Sequence, residues 1–81
     1  SIEKLSIRQV KAARELLGWS QNDLAEKSGI SVPTIQRLEA AGGELGGRRE
    51  TAEAISKALT RAGIEFLNHG SPGVRLRPRK R

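Results

Sequence analysis

The chain has 81 residues and a formal net charge of +6, with one tryptophan, one phenylalanine and no cysteine. A chain of this length forms one small domain that buries about 60% of the surface its unfolded chain exposes, so a catalytic cleft is hard to house. Without cysteine there is no disulfide or thiol chemistry, and no apolar run is long enough for a membrane span or a signal peptide. These features predict a cytoplasmic protein that is not an enzyme and holds no metal or cofactor.

The first predicted helix runs from about Ile7 to Leu17. It opens on Ser6 with Gln9 three residues later, the spacing of a capping box, and Gly18 is suited to end it. Residues 1–6 are expected to form an N-terminal arm. The apolar stripe of this helix consists of Ile7, Val10, Ala13, Leu16 and Leu17.

A second helix is predicted to start after Ser20. Asp23 stands three residues beyond this cap, where its charge is favourable at the positive end of a helix. Trp19 and Leu24 occupy the two positions of a hydrophobic staple, which fixes the angle at which the chain enters the helix. We expect Trp19 to be a core residue for this reason rather than a platform for stacking bases.

A third helix follows after a short glycine turn. Gly29 can take the left-handed conformation that ends a helix, Ser31 can cap the next one, and Pro33 fits its first turn. Two short helices joined in this way by three or four residues form a helix-turn-helix, whose second helix enters the major groove of DNA. The predicted buried stripe of this recognition helix is Val32, Ile35 and Leu38.

The segments after the third helix have patterns of their own. Residues 40–49 contain four glycines and no apolar rhythm, which predicts a flexible loop whose only anchor is Leu45. Residues 50–62 have helical apolar spacing, and Gly63 is a natural stop. The alternating pattern of residues 64–77 predicts two short strands joined by a polar turn.

The predicted fold class is therefore mainly α: four short helices within residues 7–63, followed by a β-ribbon at 64–77 and a basic tail at 78–81. A lone two-stranded ribbon is barely stable in water, so it should pack on the helices or pair with a second chain. Pairing across a two-fold axis would make the ribbon a dimer element. The side chains expected to be buried in that contact are Ile64, Phe66, Val74 and Leu76.

Positive charge is concentrated at the C-terminal end. Residues 1–73 have a net charge of only +1, and the last five basic residues supply the remainder. Such an end attracts polyanions, although it can also be plain solvated surface. The helix-turn-helix pattern favours a nucleic-acid partner. The five basic residues are Arg75, Arg77, Arg79, Lys80 and Arg81.

Over about residues 7–62 the sequence closely resembles the lambda-repressor-like family of helix-turn-helix regulators, also called Cro/C1 or Xre. This resemblance implies a lambda-repressor-like helical bundle, binding to double-stranded DNA usually as a homodimer, and regulation of transcription. The fifth helix of many members is replaced here by the predicted ribbon. The residues that carry the resemblance are Leu17, Gly18, Trp19, Ser20, Gln21, Leu24, Ala25, Gly29, Ser31, Ile35, Leu38 and Glu39.

The resemblance also implies roles for single residues. Positions matching Gln21, Ser31 and Thr34 touch phosphate or the groove edge in the family, and Gln21 also braces a side chain of the recognition helix. Arg37 can donate two hydrogen bonds to guanine, although Gln36 and Arg37 could also be the solvated face of an amphipathic helix. The predicted DNA-binding set is Gln21, Ser31, Val32, Pro33, Thr34, Gln36, Arg37, Arg48 and Arg49.

A structural ion pair between Arg14 and Glu39 is implied by the same resemblance.

Other candidate sites are weak. His69 is the only histidine and sits in a polar turn, and the glycines of 42–47 lack the Lys-Ser or Lys-Thr that a phosphate-binding loop needs.

Two hypotheses for function follow. The first is a sequence-specific transcriptional regulator, repressor or activator, that binds a palindromic operator as a dimer. The alternative is an antitoxin or anti-activator type of protein-interaction module on the same scaffold, with a protein partner at its terminal strands.

Overall fold

The computed structural model describes residues 5–45, 48–67 and 72–78. Residues 1–4 of the expected arm, residues 68–71 of the polar turn with His69, and residues 79–81 of the basic tail lie outside the described residues. Four helices precede an antiparallel hairpin, which confirms the predicted fold class. The elements are α1 (Ile7–Leu17), α2 (Gln21–Ser28), α3 (Val32–Ala41), α4 (Arg49–Arg61), β1 (Ile64–Leu67) and β2 (Gly73–Leu76).

Local chemistry sets the ends of the first two helices. In α1 the Gln9 N–H donates to Ser6 Oγ at 3.1 Å, and the Ser6 N–H donates to Gln9 Oε1 at 2.9 Å. In α2 the same reciprocal pair joins Ser20 and Asp23 at 3.0 and 2.9 Å. Both predicted capping boxes are therefore formed. Gly29 ends α2 with φ of 78°, a left-handed conformation that glycine adopts without strain.

One hydrophobic core joins all four helices and β1. Leu16 is the exception among the predicted stripe residues of α1, because 48% of it is exposed. It lies roughly 120° around the helix from Val10, whereas Leu17 lies within roughly 20° of Val10 and packs against the core. The buried cluster is Val10, Ala13, Leu24, Ile35, Ile55, Ala58, Leu59 and Ile64.

The prediction of a flexible loop over residues 40–49 is wrong at both of its ends. Helix α3 continues through Ala41, since alanine is the strongest helix former, and α4 already begins at Arg49. The chain between them is also tied to the start of α1. The Ile7 N–H donates to the Gly43 carbonyl at 2.7 Å, and the Leu45 N–H donates to the Leu5 carbonyl at 2.8 Å.

The hairpin packs on the helices of its own protomer. Phe66 faces Val74 across the ladder, and both are half-buried against the core. Ile64 is only 1% exposed, so pairing with a second ribbon could not bury it further, contrary to the sequence expectation. Within the described residues no helix is long and apolar enough to cross a membrane.

Candidate nucleic-acid interface

The start of α3 is fixed by a hydroxyl pair. The Thr34 N–H donates to Ser31 Oγ at 3.3 Å, and the Ser31 hydroxyl donates to Thr34 Oγ1 at 3.0 Å. Pro33 occupies the first turn, where a missing N–H leaves no intrahelical bond unmade. The first turn of α3 therefore presents polar oxygens and backbone N–H groups at the positive end of the helix dipole.

The remaining residues of α3 divide between core and solvent. Ile35 is 1% exposed and anchors the helix, while Val32 and Leu38 are half-buried. Gln36 and Arg37 are exposed on the opposite side, and Pro33 lies on the same exposed surface one turn earlier. Within the described residues Arg37 makes no hydrogen bond or ion pair, so its planar guanidinium can serve a ligand.

Behind this face, a bidentate ion pair joins α1 to α3. Arg14 donates from Nε to Glu39 Oε2 and from Nη2 to Glu39 Oε1, both at 2.8 Å. Its third nitrogen, Nη1, donates to the Trp19 carbonyl at 3.0 Å. The side chains are 13% and 5% exposed, which makes this a largely buried pair between the two residues that the resemblance singled out.

Gln21 completes the contact from α2. Its Nε2 donates to Glu39 Oε1 at 2.9 Å, so the glutamate receives hydrogen bonds from two other helices. We call Arg14, Gln21 and Glu39 the polar bracket. The bracket fixes the position of the α3 end relative to α1 and α2, and hence the direction in which Gln36 and Arg37 point.

The charge state of the bracket follows from these contacts. Burial by itself would raise the pKa of Glu39, but the hydrogen bonds from Arg14 and Gln21 and the Arg14 charge outweigh burial and hold that pKa below its usual range. The hydrogen bond to Glu39 likewise raises the pKa of Arg14. Both groups are therefore charged at neutral pH.

The other predicted DNA-binding residues lie at the start of α4. Arg48 precedes the helix without a side-chain capping bond, and Arg49 is its first residue; both are exposed. The first N–H groups of α4 thus lack a side-chain acceptor from the cap position, and two cations stand beside them. Residues 42–48 separate this end from α3 along the chain, and no described hydrogen bond joins the arginines to α3.

One residue was missed by the sequence reasoning. Gln9 is only 3% exposed, and besides its part in the capping box its Nε2 donates to the carbonyls of Leu67 at 3.3 Å and Gly73 at 3.0 Å. It therefore clamps the turn end of the hairpin, where Leu67 pairs with Gly73, to α1. A polar residue within a buried helical face was the only sequence signal, and that signal does not name the partner.

A comparison with protein families finds that a helix-turn-helix family model matches residues 10–61. The match covers about two thirds of the chain and includes the polar bracket and all of α2 and α3. No curated protein matches the chain significantly.

Proposed function

This chain belongs to the helix-turn-helix family of the Cro/C1 type, and we propose that it is a sequence-specific transcriptional regulator that reads DNA with α3. One observation supports this most directly: Arg37 and Gln36 form an exposed polar face with no partner among the described residues, on a helix whose orientation is fixed by the polar bracket. Base recognition needs side chains held in place before contact, because each hydrogen bond to a base edge depends on orientation.

The proposed roles follow the chemistry of each side chain. Arg37 donates to N7 and O6 of a guanine, and Gln36 serves an adenine or a phosphate. Val32 and Pro33 press on a thymine methyl group, while the Ser31 and Thr34 hydroxyls contact backbone phosphate.

The residues outside α3 would position the protein on the duplex. Gln21 begins α2, and one N–H of its side-chain amide donates to Glu39. Its second amide N–H and the N-terminal N–H groups of α2 would donate to a backbone phosphate. Arg48 and Arg49 would neutralise phosphates beside the positive end of α4. Phosphate contacts of this kind set the register of the protein but read no sequence.

The function is tested by binding to the DNA upstream of the protein's own gene, with a random duplex of equal length as the control. Fluorescence anisotropy at several salt concentrations should give an affinity at least ~10³-fold higher for the specific duplex. Both affinities should fall with salt, because counterions are released from phosphates. Equal affinity for every duplex of a genomic library would contradict the proposal.

We further propose that the regulator binds a palindromic operator as a dimer joined through its hairpins. The Arg77 N–H donates to the Gly63 carbonyl, so these two residues form a hydrogen-bonded pair. Along an antiparallel ladder such pairs alternate with non-hydrogen-bonded pairs, and the register makes Phe66 and Val74 a pair of the second kind. The N–H and C=O groups of Phe66 and Val74 therefore point outward, where a second hairpin could accept and donate.

Proline substitution tests this contact without cutting the chain. Val74→Pro removes an outward N–H but leaves the inward ladder bonds, whereas Val74→Ala loses similar packing and keeps the N–H. If β2 is the joining edge, sedimentation equilibrium should give a dimer for Val74→Ala and a monomer for Val74→Pro. If β1 is the joining edge, it should give a dimer for Phe66→Ala and a monomer for Phe66→Pro. Dimers in both proline variants would place the contact on the helices.

A further inference from the structure

An apolar groove lies away from the recognition helix, between the end of α1, the end of α4 and β2. It encloses about 1160 Å³, and no residue of α2 or α3 lines it. Small-molecule pockets are closed and span about 300–1,000 Å³, whereas this groove is larger and open to solvent. Its dimensions therefore suit a segment of another macromolecule.

We call the larger apolar residues of the groove lining its floor and the three arginines its rim; every floor residue is half-buried or exposed. The floor is formed by Leu16, Leu17, Trp19, Leu76 and Pro78. Leu16 and Leu76 are 48% and 37% exposed, and they are two of the three large hydrophobic side chains on the described surface. Apolar side chains gathered in one groove, rather than scattered singly, are a feature of interaction sites.

The rim of the groove is basic. Arg61, Arg75 and Arg77 all line the groove, and within the described residues Glu65 is the only carboxylate that forms an ion pair with any of them. Glu65 is 2.7 Å from Arg75 and 3.7 Å from Arg77, so it neutralises one of these charges, and Arg61 has no described ion pair. The groove therefore keeps an excess of positive charge.

We propose that this groove binds an acidic amphipathic segment of a partner protein, whose apolar side chains contact the floor and whose Asp or Glu residues pair with the rim. The positive charge of the rim and the apolar floor together favour this partner over a second copy of the chain and over a nucleic acid. A second copy would bring two arginine rims together, which is unfavourable, and a nucleic-acid backbone would satisfy the arginines but leave the leucines and the tryptophan without apolar contacts. An amphipathic helix with anchors at i, i+3, i+4 and i+7 matches both features.

Because α2 and α3 do not line the groove, such a segment could bind while α3 is on DNA. The surface thus gives a DNA-bound regulator a place to contact a second protein. This inference does not rest on the proposed operator binding, since the groove can be tested on the protein without DNA.

The test uses the intact chain and three synthetic helical peptides with Trp19 as the reporter, since it is the only tryptophan and lies in the groove. The first peptide has leucines at the four anchor positions and glutamates beside them. The second replaces each glutamate by lysine, and the third keeps the glutamates but replaces each leucine by serine. Titration with the first peptide should shift Trp19 emission to shorter wavelength with saturable binding, and the other two should bind at least tenfold more weakly.

Matched variants locate the binding. Arg61→Glu and Leu16→Ser should each weaken the first peptide at least fivefold. Lys57→Glu, the same charge change one turn earlier on α4, and Leu67→Ser, at a comparably exposed leucine outside the groove, should stay within twofold. Circular dichroism melts check that each variant is folded.

Three results would overturn the proposal. The first is that the glutamate peptide shows no saturable binding, or binds no better than the lysine peptide. The second is that Lys57→Glu and Leu67→Ser weaken it as much as the groove variants do. The third is that sedimentation gives a dimer for wild type and a monomer for Leu16→Ser, which would make a second copy the occupant of the groove.

Discussion

The helix-turn-helix and the C-terminal hairpin are joined to the rest of the molecule by different kinds of contact. Both bury an apolar side chain in the shared core, Ile35 of α3 and Ile64 of β1, but their polar contacts differ. At the end of α3 these contacts are charged: Glu39 receives three hydrogen bonds from Arg14 and Gln21, and Arg14 donates a fourth to the Trp19 carbonyl. At the hairpin they come from the neutral amide of Gln9.

This difference predicts that substitutions in the two regions will destabilise the protein in different ways. Removal of one partner of a buried ion pair leaves an uncompensated charge, so damage to the bracket should affect the whole fold. Loss of a neutral hydrogen bond costs far less, so damage at Gln9 should loosen the hairpin and leave the helices in place. Helix α3 is thus the more rigidly attached region, and the hairpin is the one more easily released.

The largest effect on stability is expected from Glu39→Ala, which leaves the Arg14 charge buried without its partner. The free energy of unfolding should fall by ~3–5 kcal/mol, and the double variant with Arg14→Leu should recover part of it because no buried charge is left. Urea melts measure both. Glu26→Ala, at an exposed glutamate of α2, is the control and should stay within ~0.5 kcal/mol. A small, additive loss in the double variant would show that the bracket is not a coupled unit.

Acid should weaken the same bracket. The folded-state pKa of Glu39 lies below its ordinary value of 4.5, so its stabilising contribution is complete above that pH and is lost as the pH falls from 4.5 through the lower folded pKa. Thermal melts between neutral pH and pH 3 should therefore show wild type losing stability relative to Glu39→Gln, which has no carboxylate to protonate at this position. A constant gap between the two proteins across this range would contradict the assignment.

Arg37→Ala should affect DNA reading but not stability. If Arg37 reads a guanine, its loss should cost ~1–3 kcal/mol on the true operator and relax the preference at one base position per half-site. Arg37→Lys separates this from a phosphate contact, since lysine can replace a point charge but not a planar two-bond donor. Equal weakening on all sequences by alanine, with recovery by lysine, would assign Arg37 to phosphate.

The sequence predicted most of the helical half, because its signals are local. Ser20 with Asp23 and Ser31 ahead of Pro33 fix two helix starts through contacts three residues apart, and Gly29 fixes the turn by its backbone freedom. Such features can be read without knowing the fold. The DNA-contacting roles of residues in α3 came from the family resemblance and remain proposals.

What the sequence could not predict depends on long-range packing. Gln9 was identified as a cap through its neighbour Ser6, but its hairpin contacts lie 58 and 64 residues away along the chain. The error at Leu16 has a different cause, since its angle of roughly 120° from Val10 on α1 already sets it apart from the buried stripe. The groove joins segments from both ends of the chain, so no local pattern indicates it.

Gln9→Ala tests the weaker attachment directly, with Ser6→Ala as its matched control. Ser6→Ala removes the bond from the Gln9 N–H to Ser6 Oγ and should cost ~1 kcal/mol. Gln9→Ala keeps that bond but removes the bond from the Ser6 N–H and the clamp on the hairpin, and it should cost ~1 kcal/mol more. Hydrogen exchange should become faster at the ladder amides of Glu65 and Arg75 in Gln9→Ala only, while Leu24 in the core keeps its protection. Equal losses and equal exchange in both variants would show that the clamp contributes nothing to holding the hairpin.

The smallest effect is expected at the basic tail beyond the hairpin, and it should appear in salt dependence alone. Truncation after Pro78 removes Arg79, Lys80 and Arg81 but keeps the Arg77 bond that closes the ladder, so melting and sedimentation should not change. If the tail neutralises phosphates, the slope of log affinity against log salt should become shallower by ~0.9 for each phosphate that the tail no longer neutralises. A full-length chain with glutamine at these three positions should match the truncation, because charge rather than length is responsible. An unchanged slope in both would make the tail plain solvated surface, and DNA contact would then rest on the helix-turn-helix and the start of α4.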